Sequence, residues 1–200
     1  MKNGVKNVLC LTIITLVAGF CLGYVYDVTK EPIRIMEEKT KQEAYLKVFA
    51  KADSFSELSY DEADIKNSLT VSGFDYVDCQ GILTANDASG SAVGYVFNVV
   101  SHEGYGGDIS LSVGIDNDGV VQGIEILSIS ETAGLGMKAT EDEFKNQFSG
   151  KAVSQFSYTK QEPTADFEIQ ALSGATITTN AVTNAVNGAL CIFEKVGGGL

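Results

Sequence analysis

Ser173-Gly174-Ala175-Thr176-Ile177-Thr178 stands just ahead of an apolar series, Ala181, Val182, Ala185, Val186, Ala189, Leu190 and Phe193, whose spacing is helical. Thr176 is therefore expected within a few residues of a helix N-terminus. Backbone N–H groups there lack intrahelical acceptors, and the helix dipole favours an anion. Gly174 and Ala175 leave room for a bulky group to approach the Thr176 hydroxyl. The residues alone make this a candidate phosphate site on a threonine. The competing reading is a plain Ser/Thr-rich helix cap, since such side chains are the preferred caps.

Working back toward the N-terminus, Phe167 to Leu172 reads as a strand that delivers the chain to Ser173. Thr140-Glu141-Asp142-Glu143 has the spacing of a capping box, with a short helix expected to end near Phe148 and Gly150 as its stop. Phe144 and Phe148, four apart, are expected to face the core. Tyr95 to Val100, Ile109 to Val113 and Val120 to Ser130 read as strands, the second alternating apolar and polar, with Asn117-Asp118-Gly119 as a hairpin turn. Residues 51–90 read as polar and irregular, with turn signals at Ser72-Gly73 and Asn86-Asp87. Short strands joined by tight turns and interspersed with helices imply an α+β fold with a mostly antiparallel sheet.

The N-terminal end has a different character. No charged residue occurs from Asn7 through Tyr26, which is long enough for one transmembrane helix. Lys2 and Lys6 flank it on one side, so the positive-inside rule places the N-terminus in the cytoplasm and the remainder outside. Residues 27–200 hold all 26 acidic residues and all but two of the 14 basic ones. Ala18-Gly19-Phe20-Cys21-Leu22-Gly23 offers no clean small-x-small cleavage site, and Phe20 spoils a lipobox before Cys21. An uncleaved anchor is expected. Glu31 to Ala50 reads as a helix continuing from the span, with Pro32 suited to a first turn.

Composition excludes several classes. The 200 residues carry a net charge of −12 and no basic cluster, which argues against nucleic acid as a partner. Cys10, Cys21, Cys79 and Cys191 form no C-x-x-C pair, and His102 is the lone histidine, so zinc and iron–sulfur sites have no support. Spacing alone does not decide whether Cys79 and Cys191 pair.

Ser173-Gly174-Ala175-Thr176 resembles the motif on which FMN is esterified, through its phosphate, to the final threonine. That motif belongs to the FMN-binding domains of the G subunit of Rnf electron-transport complexes and the C subunit of sodium-pumping NADH:quinone reductases. Glu131-Thr132-Ala133-Gly134-Leu135-Gly136 resembles the family's Glu-Thr-Pro-Gly-Leu-Gly loop near the flavin ring, with Ala133 in place of proline. Gly104-Tyr105-Gly106-Gly107-Asp108-Ile109 resembles its glycine-rich turn. Gln170 stands where the family has an aspartate that assists the flavin transferase. The chain is expected to fall into three segments, residues 1–30 as N-terminal tip and transmembrane helix, 31–93 as connecting helix and irregular segment, and 94–200 as the core that the resemblance marks as FMN-binding.

It further implies covalent FMN at Thr176, attached by a separate flavin transferase with magnesium and FAD as donor. The backbone of Ile177 and Thr178 and the hydroxyls of Ser173, Thr178 and Thr179 are the expected phosphate contacts, beside Gly174 and Ala175. Glu131, Thr132, Gly134, Leu135, Gly136 and Tyr105 are expected at the ring. The implied function is an electron relay on the exterior face of an ion-translocating ferredoxin:NAD oxidoreductase, with ferredoxin and NAD bound by other subunits and no substrate chemistry of its own. The alternatives are a C subunit of the quinone reductase, a stand-alone sensory or extracellular electron-transfer module, and an anchored domain with no cofactor.

Overall fold

Five strands, β1 (Ser54–Glu57), β2 (Val77–Asn86), β3 (Ala92–Ser101), β4 (Ile109–Asp116) and β5 (Val121–Ser128), form one antiparallel sheet in sequence order. They are seen in a computed structural model that describes residues 2–197, with side chains from Gly4 onward. Met1, the Lys2 side chain and residues 198–200, which the predicted segments include, lie outside the described residues.

Tight turns set the register. Asp116 Oδ1 accepts from the N–H groups of Asp118 and Val120, and Gly119 adopts φ 79°, so the Asn117-Asp118-Gly119 turn forms where expected. Asp87 does the same for the β2–β3 turn, accepting from Ser89 and Ser91 N–H. Residues 51–90 are not irregular: they supply β1, the helix α2 (Glu62–Val71) and the long strand β2. The register of β2 shifts between Cys79 and Gly81, and this bulge moves its apolar residues out of phase, so no clean alternation is visible in the sequence.

Helix α4 (Thr176–Val196) covers one sheet face. Ala181, Val182, Ala185, Val186 and Ala189 are buried against a core that includes Phe97, Val99, Leu111 and Val113. Full burial of a Val, Leu or Phe side chain is worth about 1.5–3 kcal/mol each. The opposite face is also covered, by Tyr45, Val48, Phe49 and Ala52. A Cβ on Gly114 would run into Val48 O, so this chain segment rests directly on bare backbone. Ser112, a polar position of the alternating run, is 0% exposed. It donates to Asn98 Oδ1 at 2.6 Å, and Asn98 donates to Tyr45 Oη at 2.7 Å, which satisfies the buried polar groups.

The chain divides into two units, one ending at Thr40 and one starting at Lys41. Helix α1 (Lys2–Val48) contains a stretch long and apolar enough to cross a membrane, which fits a single-pass anchor. Pro32 lies inside this helix rather than in the first turn of a second one. The missing proline N–H removes one intrahelical bond, but Arg34 bridges Glu31 and Glu38 around it, both at 2.6 Å.

The capping box does not form. Thr140 ends a 3₁₀ turn (Gly136–Thr140) and its hydroxyl donates to Met137 O, so the cap of the short helix α3 (Asp142–Lys145) is Glu141, with no side-chain cap bond. Phe144 and Phe148 do face the core, 2% and 0% exposed. The expected strand at 167–172 narrows to β7 (Glu168–Gln170), which pairs in parallel with β6 (Ser157–Thr159). All four cysteines are free thiols.

One polar tie links β2 to the turn after β3. His102 Nδ1 lies 2.9 Å from Asp108 Oδ1 and its Nε2 lies 3.0 Å from Asp78 Oδ2. Asp108 first and Asp78 second raise the His102 pKa, while His102 and then Lys66 hold Asp78 below the usual carboxylate range. A raised histidine pKa gives stability that is fully present below the unfolded value and lost as pH rises through the folded one. Asp78 gives stability lost only on acidification. Thermal melts of the full chain in detergent should therefore fall on going from about pH 6 to about pH 9, and His102→Gln should flatten that fall. Parallel melting curves for the two proteins would contradict the tie.

Candidate functional site

Three connections meet at one end of the sheet: the β3–β4 turn, the loop after β5, and the loop between β7 and α4. The last is shaped by backbone. Gly174 adopts φ 75°, a left-handed conformation that a side chain resists, and Ala175 N–H donates to Leu172 O at 3.0 Å. Ala175 is the N-cap of α4 and makes no side-chain cap bond, so the Ser/Thr hydroxyls here are not spent on capping. Thr176 is the first helical residue. The N–H groups of Thr176, Ile177 and Thr178 form the first turn, which has no acidic residue to neutralise it.

Thr179 has a different place from the one expected. It is 0% exposed, and its hydroxyl accepts from Leu172 N–H and donates to Ala175 O, each at 3.0 Å. It fastens the loop to the helix from behind. Further back, Gln147 Oε1 accepts the Gln170 N–H at 2.6 Å and fixes the end of β7, leaving the Gln170 side chain at the surface.

The loop after β5 carries Glu131, 9% exposed. Its Oε1 accepts from Tyr105 N–H at 2.7 Å and Gly106 N–H at 3.3 Å, which holds the β3–β4 turn against this loop. A Cβ on Gly136 would stand 2.6 Å from Thr178 Oγ1 and 2.7 Å from Glu131 Cβ, so only glycine lets the loop lie between them. Leu135 reaches across to Gly174, where a Cβ would be 3.1 Å from Leu135 Cδ2. Asn184 Nδ2 donates to Glu103 Oε2 at 2.7 Å and ties the turn to α4.

These connections enclose an open cavity of about 470 Å³. It is lined by Tyr105, by Glu131, Thr132, Leu135 and Gly136, and by Gly174 to Thr178. Ten of the expected site residues thus share one wall, whereas Ser173, Gly134 and Thr179 do not line it. Tyr105, Leu135 and Ile177 leave apolar side chains exposed at its rim. The roles of Glu103, Asn184 and Gln147 are not readable from the sequence, because each acts through side-chain hydrogen bonds to a residue distant in the chain and carries no local pattern. The volume falls within the ~300–1,000 Å³ usual for small-molecule sites. No cluster of metal-ligating side chains occurs among the described residues.

Comparison with known proteins gives the class first. Residues 104–191 match the model of the FMN-binding domain. The chain is 30% identical over 190 residues to the G subunit of the Na(+)-translocating ferredoxin:NAD(+) oxidoreductase complex of Acetobacterium woodii, covering 94% of this chain and 90% of that protein. It is also 30% identical over 190 residues to the G subunit of the ion-translocating oxidoreductase complex of Methanosarcina acetivorans, covering 94% of each. Among solved structures, NqrC of Shewanella oneidensis superposes with a TM-score of 0.51 at 18% identity, covering 76% of this chain and 72% of that one. The chain belongs to the FMN-binding family of G subunits of Rnf ion-translocating complexes. Its fold is the one seen in NqrC.

Gly136→Ala should push the loop after β5 off the first turn of α4 and lower stability by about 1–3 kcal/mol. Urea or thermal unfolding of the full chain reads this, and an unchanged midpoint would show that the loop and the helix are not held together at Gly136.

Proposed function

We propose that this chain is the membrane-anchored flavoprotein subunit of an Rnf-type ferredoxin:NAD oxidoreductase and relays electrons through FMN bound covalently to Thr176. The observation that carries the reading is the convergence of three separated stretches on one cavity, with Thr176 at its helix-terminal end. The near-complete coverage of two G subunits, 94% of this chain in each case, favours Rnf over the quinone reductase, to which likeness is one of fold.

The residues fit the group. Thr176 is partly exposed and offers a hydroxyl for a phosphoester, and the N–H groups of Thr176, Ile177 and Thr178 suit the charge of a phosphate, with the helix dipole behind them. Ser173, exposed just outside the cavity lining, offers a further hydroxyl that could donate to the phosphate. Tyr105, Leu135 and Ile177 offer apolar surface to a flat ring, and Thr132 and Glu131 offer polar groups at its edge. Gly134, at φ 76°, shapes the loop that presents Leu135 and Gly136. Bound FMN supplies reversible acceptance and release of electrons, and the protein supplies position and electrostatics.

A covalent bond at the first helical residue keeps the flavin at a fixed place relative to its neighbours. Attachment transfers the FMN moiety of FAD to the Thr176 oxygen with release of AMP, performed by a separate flavin transferase with magnesium. Lys2 and Lys6 support a cytoplasmic N-terminus, with the cavity-bearing unit outside. Ferredoxin and NAD are met by other subunits of the complex.

Thr176→Ala is expected to yield full-length protein in the membrane with no flavin fluorescence in a denaturing gel. Fluorescence retained by the variant would remove Thr176 as the attachment point.

A further inference from the structure

We propose that Glu131 is a positioning residue that locks the Tyr105 turn onto the cavity and, with FMN in place, a fixed negative charge that lowers the flavin's reduction potential. The second part rests on the flavin reading above. The first part stands on hydrogen bonds of the chain alone.

Glu131 is the side chain where the connections meet. One oxygen takes the N–H groups of both Tyr105 and Gly106. The other lies 2.8 Å from where a Gly136 Cβ would stand, on the side shared with Thr178 Oγ1. The side chain thus touches the β3–β4 turn and its own loop and sits next to the first turn of α4. It is 9% exposed and still lines the cavity. No lysine, arginine or histidine pairs with it among the described residues. Lys145, the least exposed of the ion-paired lysines, is taken up by Glu125 and Asp142.

A carboxylate in a part-buried wall is screened less than one at the surface. Electrons that enter the ring come from a donor that is oxidised in the same step, and they add negative charge to the flavin. The carboxylate opposes that added charge and so favours the oxidised form. Removing the charge while keeping an oxygen acceptor separates the two roles. Glu131→Gln keeps an acceptor for the turn, whereas Glu131→Ala removes it.

The test uses the full chain in detergent, with and without flavin. On flavin-loaded protein, Glu131→Gln should raise the midpoint potential, so that the reduced-to-oxidised ratio at a fixed solution potential rises about threefold or more. An unchanged or lowered potential overturns the electrostatic role. On flavin-free protein, hydrogen exchange at the Tyr105 and Gly106 amides should be faster in Glu131→Ala and near wild type in Glu131→Gln. Exchange unchanged in Glu131→Ala overturns the positioning role. If Glu131→Gln takes no flavin although wild type does, that result contradicts a role limited to tuning the potential, and the exchange of Glu131→Ala still decides the positioning role. Wild-type protein without flavin would defeat the functional reading instead, and the exchange comparison would still decide the positioning role.

Discussion

Helix α4 buries its alanine- and valine-rich face on β3 and β4, and that contact fixes where its N-terminus ends. Small side chains let the helix lie close to the sheet: a Cβ at Gly188 would already stand 2.8 Å from Val77 Cγ1. A helix held this tightly cannot slide, so the N–H groups of its first turn are presented at one place. The loop before it follows, because Thr179 bonds both Leu172 and Ala175. The cavity is thus a consequence of core packing at the other end of the same helix.

The second constraint is the meeting of backbones above that helix. The loop after β5 lies so close to the β3–β4 turn and to the first turn of α4 that side chains are sterically excluded at Gly106, where a Cβ would run into Ser130 O, and at Gly136, where it would stand 2.6 Å from Thr178 Oγ1. Backbone N–H groups brought this close need acceptors, and Glu131 supplies one for two of them. The result is a wall with apolar rim residues and a first helical turn free of acidic side chains. That combination suits a ligand with a flat apolar ring at one end and a phosphate at the other.

Much of this is legible in the sequence. The helical spacing from Ala181 to Leu190 puts Thr176 at a helix start, and the alternating and turn-bounded runs give β3, β4 and β5. The expected site residues come from resemblance in three short stretches, and ten of them line the cavity. What fails to show has physical causes. The bulge at Cys79 disguises β2, and coverage of both sheet faces buries Ser112 despite its polar alternation. The Thr140 capping box loses to a 3₁₀ turn that uses the same hydroxyl on Met137 O. Pro32 suggests a start because proline favours first turns, but an apolar helix with flanking ion pairs runs through it. Thr179 carries the right chemistry and the wrong direction, since a hydroxyl four residues along a helix reaches back to the preceding carbonyl.

The most direct test is the mass of the proteolytic peptide that contains Thr176, from protein made in a host with an active flavin transferase. A covalent flavin at Thr176 gives a gain equal to FMN less one water, with fragmentation placing it on Thr176. An unmodified peptide, from a host that flavinylates a control protein, would contradict it.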